Sequence, residues 1–315
     1  MKMEYRNHKP YQTVDVFYKT LFGHKVYKVS LNGGFTCPNR DGKLGKGGCI
    51  YCSDMGSGDF AGSRNQPLEL QYEQGKAMMA KKWPNGKPIV YFQANTNTYA
   101  PLSKLKELYE HALTLDKDIV GISIATRPDC LEDEVIDYLE TLNRKYFVSV
   151  ELGLETIHES SLLFINRCHG PNEFKEAVRR LRLRNLHTVA HIINGLPGED
   201  KPMMLETIRF LNQLDIQGIK IHMLYIASNS RLSNVYRNNP FPLLTKQEYC
   251  DIVASQIEIM RPDLIIYRLT GDAPKDKLIA PLWTLKKFTI TNDIEKLLRE
   301  RKSYQGRLCQ DDQNH

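Results

Sequence analysis

The sequence predicts an α/β protein whose parallel strands close into a full or partial (β/α) barrel, with a doubly wound open sheet as the structural rival. Three observations predict it. Short, near-continuously apolar runs rich in Val, Ile, Phe or Tyr recur, helical patterns separate them, and the two kinds alternate six times before residue 226. Strands of that composition suit burial on both faces. Alternation with helices then joins them in parallel through right-handed crossovers.

The strand candidates are residues 25–31, 88–93, 119–124, 147–152, 188–193 and 218–224. The intervening helical patterns cover 68–83, 103–115, 132–144, 172–185 and 202–214, several opening at a good cap or a first-turn proline. After Ile226 the rhythm breaks: 228–242 is polar and turn-rich, 246–260 reads as a helix, 264–269 as a further strand and 285–302 as a basic terminal helix. This divides the chain into an N-terminal extension (1–24), a core (25–226), a C-terminal extension (227–303) and a disordered tail (304–315).

Composition bounds the function classes. The 315 residues carry 43 Lys and Arg against 37 Asp and Glu, a net charge of +6, with 41% apolar and 25% charged side chains. That is ordinary globular usage, and a mild basic excess permits a polyanionic partner without demanding one. The sequence has neither an 18-residue apolar run nor a signal-like N-terminus, so the expected location is cytoplasmic, with no membrane partner. Seven cysteines is an odd number, and three of them crowd into residues 37–52. Thiol chemistry or metal binding explains them better than a disulfide framework.

Those three, Cys37, Cys49 and Cys52, share one glycine-rich loop directly after the first strand. Its glycines let the backbone wrap a bulky group. A structural zinc wants four ligands, for which His24 or Asp54 would have to complete the set. A four-iron cluster held by three cysteines instead leaves one iron open. Cys130, Cys168, Cys250 and Cys309 lack Cys-x-x-Cys spacing, so no second cluster is expected.

The loop resembles the cluster loop of radical S-adenosylmethionine (SAM) enzymes, with eleven residues between the first two cysteines in place of the usual three, a lengthening familiar from Elongator-like members. Over residues 25–226 the chain is similar to the YhcC/YtqA (MnmL-like) family of radical SAM proteins. The resemblance implies a partial (β/α)6 TIM-like barrel with a small C-terminal extension. It further implies a [4Fe-4S] cluster on Cys37, Cys49 and Cys52, SAM as cofactor, and an electron donor such as flavodoxin or ferredoxin.

The resemblance also implies roles at the strand ends, where a barrel presents its ligand groups. Tyr51, between the second and third cysteines, would pack near the adenine. Asn95 and Thr96 stand where the family binds the methionine amino group. Ala125, in the Ala-Thr-Arg-Pro-Asp run, stands where related enzymes place a ribose-binding glutamate, so that contact is either absent or supplied by Thr126 or a neighbour, and Arg127 is a candidate for substrate. Glu151 and Glu155 share a strand face, and Arg167, twelve residues after Glu155, would grip the methionine carboxylate with its guanidinium fork. A buried ion pair is the structural alternative for this set. His191 stands where an aspartate often holds the ribose, the backbone around Ile193 would meet the adenine edge, and Tyr225 would close over it. His222 is a weaker substrate candidate, and 268–274 is expected to line the barrel mouth.

For activity, the resemblance implies reductive cleavage of SAM to a 5′-deoxyadenosyl radical that abstracts hydrogen from substrate. The implied substrate is the 5-substituent of the wobble uridine of tRNA, trimmed from carboxymethylaminomethyl to aminomethyl. Basic runs at 81–82, 179–184, 286–287 and 299–302, with Lys43 and Lys46 in the cluster loop, would suit RNA phosphates, although 179–184 equally fits a solvated helix face. The alternatives are a radical SAM enzyme acting on a small molecule or protein, and a non-enzymatic zinc-stabilised RNA-binding protein.

Overall fold

The computed structural model describes residues 8–56 and 58–309. Its elements begin with helix α1 (Val14–Phe22), strand β1 (Val26–Leu31), α2 (Leu68–Ala80), β2 (Lys87–Phe92), α3 (Leu102–Thr114) and β3 (Gly121–Thr126). They continue with α4 (Asp133–Asn143), β4 (Phe147–Glu155), α5 (Glu159–Phe164), α6 (Pro171–Leu183), β5 (His187–Asn194), α7 (Lys201–Asn212) and β6 (Gly218–Met223). The C-terminal part holds β7 (Ile226–Ala227), α8 (Arg231–Asn238), α9 (Lys246–Ile259), β8 (Ile265–Arg268), β9 (Leu278–Ala280) and α10 (Lys287–Glu300).

Seven strands form one parallel sheet in the order β1-β2-β3-β4-β5-β6-β8. Because neighbours in space follow chain order, every right-handed crossover lays its helix on the same face, which excludes the doubly wound rival. The result is a partial barrel, open between β1 and β8. The six expected units are present, and the strand expected beyond the core, β8, joins the sheet as its seventh member.

The apolar core lies between the outer face of the sheet and the helices. Val29, Val90, Ile122, Val150, Ile192 and Ile221 pack there with Leu105, Ile136, Phe174 and Ile208, all at most 2% exposed. Strand residues alternate between faces, so their neighbours Lys28, Tyr91, Ser123, Glu151, His191 and Lys220 point into the barrel. The expectation of two apolar faces therefore holds only for the outside; the inner face is polar.

Three helices escaped the sequence reading: α1, α5 and α8. Each is short, and α8 lies in the stretch taken as turns, held by Leu232, which is fully buried in a second apolar cluster with Ile50, Ile193 and Leu224. Helix α1 starts at Thr13, whose hydroxyl accepts from Val16 N, and ends at Gly23 with φ of 71°. It packs against both β1 and β8, with Gln12 O accepting from Ile266 N at 2.9 Å. Tyr18 and Phe17 of α1 meet Phe147 and Tyr267 at the base of the barrel. At the other terminus, the start of the expected tail is packed: Gln305 is 1% exposed and donates to the carbonyls of Arg261 and Leu264. Residues 310–315 lie outside the described residues.

Candidate functional site

A cavity of about 610 Å3 runs from the loops at the strand ends down the inner face of the sheet. Its volume falls in the range of ligand sites, about 300–1,000 Å3. Every site residue expected from sequence lines it: Cys37, Cys49, Tyr51, Cys52, Asn95, Thr96, Thr126, Glu151, Glu155, Arg167, His191, Ile193 and Tyr225.

The cysteine loop is shaped by glycine where the chain turns hardest. Gly47 and Gly48 adopt φ of 78° and 77°, and a Cβ on Gly47 would meet the Arg231 guanidinium at 2.9 Å. None of the three cysteines is in a disulfide. A hydrogen bond from Cys52 pulls the Cys49 thiol well below its usual range, against burial, and the guanidinium groups of Arg167 and Arg127 add to the effect. Arg167 Nη1 lies 3.6 Å from Cys49 Sγ. Ionised sulfur beside cations is the donor chemistry that an iron–sulfur cluster requires, so the residues present fit such a group.

They fit zinc poorly. His24 is exposed and lies before β1, at the end of the strand remote from the cysteine loop, and Asp54 is engaged by Asn229. Among the described residues no three His, Cys, Asp or Glu converge to hold a single metal ion.

The strand ends carry local strain. Asn95 and Glu155 occupy the left-handed region, with φ of 61° and 69°, a cost of about 1–3 kcal/mol each that clusters at functional positions. Asn95 Nδ2 donates to Phe35 O at 3.1 Å, and its side chain packs on Gly56, where a Cβ would meet Asn95 Oδ1 at 1.9 Å. Glu155 follows a register shift in β4 and lies 3.3 Å from Arg167, whose Nη2 also donates to Gly153 O at 2.7 Å. Gly153 permits that approach, since a Cβ there would meet the guanidinium at 2.3 Å. Arg167 Nε remains buried without a partner. Thr96 is buried in the loop after β2, and Thr126 Oγ1 bonds Thr98 Oγ1 at 2.6 Å. Arg127 forks onto Asp129 at 2.9 and 2.8 Å and donates to Arg167 O, so it braces the site from behind.

Tyr51 and Ile193 belong to the second apolar cluster, which forms one wall. Burial pushes the Tyr225 hydroxyl up to about 12. Glu151 and His191 sit deeper. Glu151, 1% exposed, accepts from Lys28, Lys220, Tyr91 (2.9 Å) and His191 (2.8 Å), so its oxygens are consumed within the protein. The ion pairs left open as an alternative in the sequence reading are thus present at both Glu151 and Glu155. Burial favours the neutral carboxyl, but Lys220 and Lys28 outweigh it and hold Glu151 well below the usual range. Burial, with Lys220 adding, lowers His191 to about 4; burial, with Lys28 and Arg268 adding, lowers Lys220 to about 7.

Sequence reasoning missed Lys28, Tyr91 and Lys220. The available signal was a lysine inside each of two otherwise apolar strands. The basic run at 179–184 proves to be a paired surface: Arg179 with Glu176, Arg180 with Asp133, Arg182 with Asp215 and Arg184 with Asp137. Arg268 and Asp272 line the cavity as expected of 268–274.

Comparison with family models matches residues 36–211 to the radical SAM superfamily and 216–300 to the radical SAM C-terminal domain. The chain belongs to the radical SAM superfamily. Membership implies a [4Fe-4S] cluster, SAM and a source of reducing electrons for this enzyme. Among curated proteins it is 48% identical to YtqA of Bacillus subtilis, over 96% of this chain and 94% of that one. It is 34% identical to Escherichia coli YhcC over 89% of each. More distantly, it is 24% identical to the tRNA uridine(34) acetyltransferase of Methanocaldococcus jannaschii, over 56% of this chain but 33% of that protein. The fold is shared with the solved structure of Methanocaldococcus infernus Elp3, with a TM-score of 0.66 at 15% identity, covering 89% of this chain and 64% of that one. Among the described residues, no helix of this radical SAM protein is long and apolar enough to cross a membrane.

Proposed function

We propose that this radical SAM enzyme modifies the 5-substituent of the wobble uridine of tRNA, trimming carboxymethylaminomethyl to aminomethyl uridine. The observation that carries the reading is the relationship to a tRNA uridine(34) acetyltransferase over 56% of this chain. Fold alone does not fix a substrate, so the rim of the cavity matters. Phe60 and Phe288 are 54% and 88% exposed, Lys287 lies over the Phe60 ring at 5.9 Å, and Lys286 precedes it on the same segment. Exposed aromatic rings beside lysines suit unstacked bases and their phosphates.

In this reading Cys37, Cys49 and Cys52 hold the cluster, and Asn95, Thr96 and Arg167 take the amino and carboxylate groups of SAM. Tyr51, Ile193 and Tyr225 wall the adenine, while Thr126 faces the ribose. When bound, the cluster and SAM supply a 5′-deoxyadenosyl radical able to remove hydrogen from a carbon of the substrate. The protein's share is positional: the apolar wall excludes water, and the closed Glu155–Arg167–Arg127 framework fixes the carboxylate-binding fork. Lys43 and Lys46, exposed on the cluster loop, suit an acidic donor such as flavodoxin or ferredoxin.

Comparing the modified nucleosides of tRNA from cells with and without the gene tests this reading. Accumulation of carboxymethylaminomethyl uridine in the deletion is expected; unchanged nucleosides overturn it. Salt-sensitive tRNA binding separates it from action on a small molecule or protein.

A further inference from the structure

We propose that the floor of the cavity is a binding site for a carboxylate carried by the substrate, held between Lys28 of β1 and Lys220 of β6. Its equation with the carboxymethyl arm rests on the tRNA reading above; the site itself rests on the charge and hydrogen-bond inventory of the barrel interior.

Two lysines converge on the single carboxylate of Glu151. Farther along, Arg268 and Lys287 share the single carboxylate of Asp272. Four basic side chains therefore meet two carboxylates in these two clusters. The imidazoles add no charge to this sum, since burial keeps both His191 and His222 neutral. Side-chain exposures of 19% for Lys28 and 10% for Lys220 leave little water to screen the excess, and buried charge without a counter-charge is costly.

The donors point the same way. Each ammonium has three hydrogens. Lys28 spends two, on Glu151 and on Ser123 Oγ at 2.7 Å; Lys220 spends two, on Glu151 and on Tyr91 Oη at 3.2 Å. His222 Nε2, in the cavity lining, is buried without a partner. A carboxylate between the lysines takes the two remaining ammonium hydrogens, supplies one missing negative charge and lies within the reach of an imidazole N–H. A backbone phosphodiester has chain on both sides and stays at the mouth, whereas a carboxylate at the free end of an arm descends to the floor. The groups facing Lys220 are Glu151 from β4, His191 from β5, Tyr91 from β2, Lys28 from β1 and Arg268 from β8. Their cationic excess and burial lower Lys220 to about 7, so binding weakens as pH rises above neutrality.

The test uses the reconstituted holoprotein and N-methylglycine, the free end of the arm, against its methyl ester. Acetic anhydride labelling of Lys220, read by mass spectrometry at pH 7, is expected to fall severalfold with N-methylglycine and not with the ester. The Lys28→Gln variant is expected to lose that protection. Equal labelling with both compounds overturns the site. In parallel, wild-type enzyme receives anticodon stem-loops bearing the carboxymethyl arm or its methyl ester. Loss of a charge-assisted pair raises KM for the ester by about tenfold or more, and equal KM values overturn the proposal. Protection of Lys220 with turnover of neither RNA keeps the carboxylate site and removes the tRNA reading.

Discussion

Arg167 Nη1 stands 3.6 Å from the sulfur of Cys49 while its Nη2 lies 3.3 Å from Glu155, so one guanidinium ties the cysteine loop to the end of β4. The cysteine loop and the end of β4 are thereby one mechanical unit, and the first two predictions follow from it.

Cys52→Ala removes a thiol and the hydrogen bond that lowers Cys49. Anaerobic reconstitution with iron and sulfide is expected to give a brown wild type with about four irons per chain. The variant is expected to form no 5′-deoxyadenosine. Undiminished formation would refute the ligand assignment.

Arg167→Ala leaves Glu155 buried beside a hole, a loss on the order of 3–5 kcal/mol, seen as a lower thermal midpoint. Arg167→Met combined with Glu155→Gln should recover part of that stability while SAM binding by equilibrium dialysis stays weak. Recovery of both together would make Arg167 structural alone.

Acid stability provides a third test. Burial lowers His187 to about 3 and His191 to about 4, from 6.5. Between about pH 4 and 6.5 the unfolded chain binds protons that the fold refuses. Stability therefore rises with pH across this window and is lost as pH falls, by up to about 1.4 kcal/mol per pH unit for each proton. Denaturant midpoints measured from pH 4.5 to 7 check this, and His187→Phe should flatten the slope; an unchanged slope would remove His187 from the account.

Tyr18→Ala deletes the ring that α1 wedges against Phe147 and Tyr267. A cost on the order of 3 kcal/mol is expected, measured by chemical denaturation, with iron content unchanged because the cysteine loop lies at the far end of the barrel.

The βα rhythm was legible because the outer-face residues, such as Val29, Val90 and Ile221, set a period that needs no tertiary knowledge. The crowding of Cys37, Cys49 and Cys52 into one loop after β1 was legible because all three fall within sixteen residues. The interior network was not: Lys28 and Lys220 lie 192 positions apart, and only barrel curvature brings both onto Glu151. The arginines of α6 stayed open between RNA contacts and a solvated face for the related reason that Asp133, Asp137 and Asp215, which neutralise three of them, lie far off in sequence. Helix α1 was invisible because nine residues carry too little periodicity, and its hold comes from contacts with β1 and β8.

That helix has one further consequence. Strands β1 and β8 are the raw margins of the sheet, and unpaired margins recruit strands from other molecules. By lying across the seam, and by bonding Gln12 to Ile266, the segment before β1 works as a stopper against self-association. A chain shortened to start after Phe22 would keep every cysteine yet lose its guard, and should accumulate as oligomers whose size grows with protein concentration.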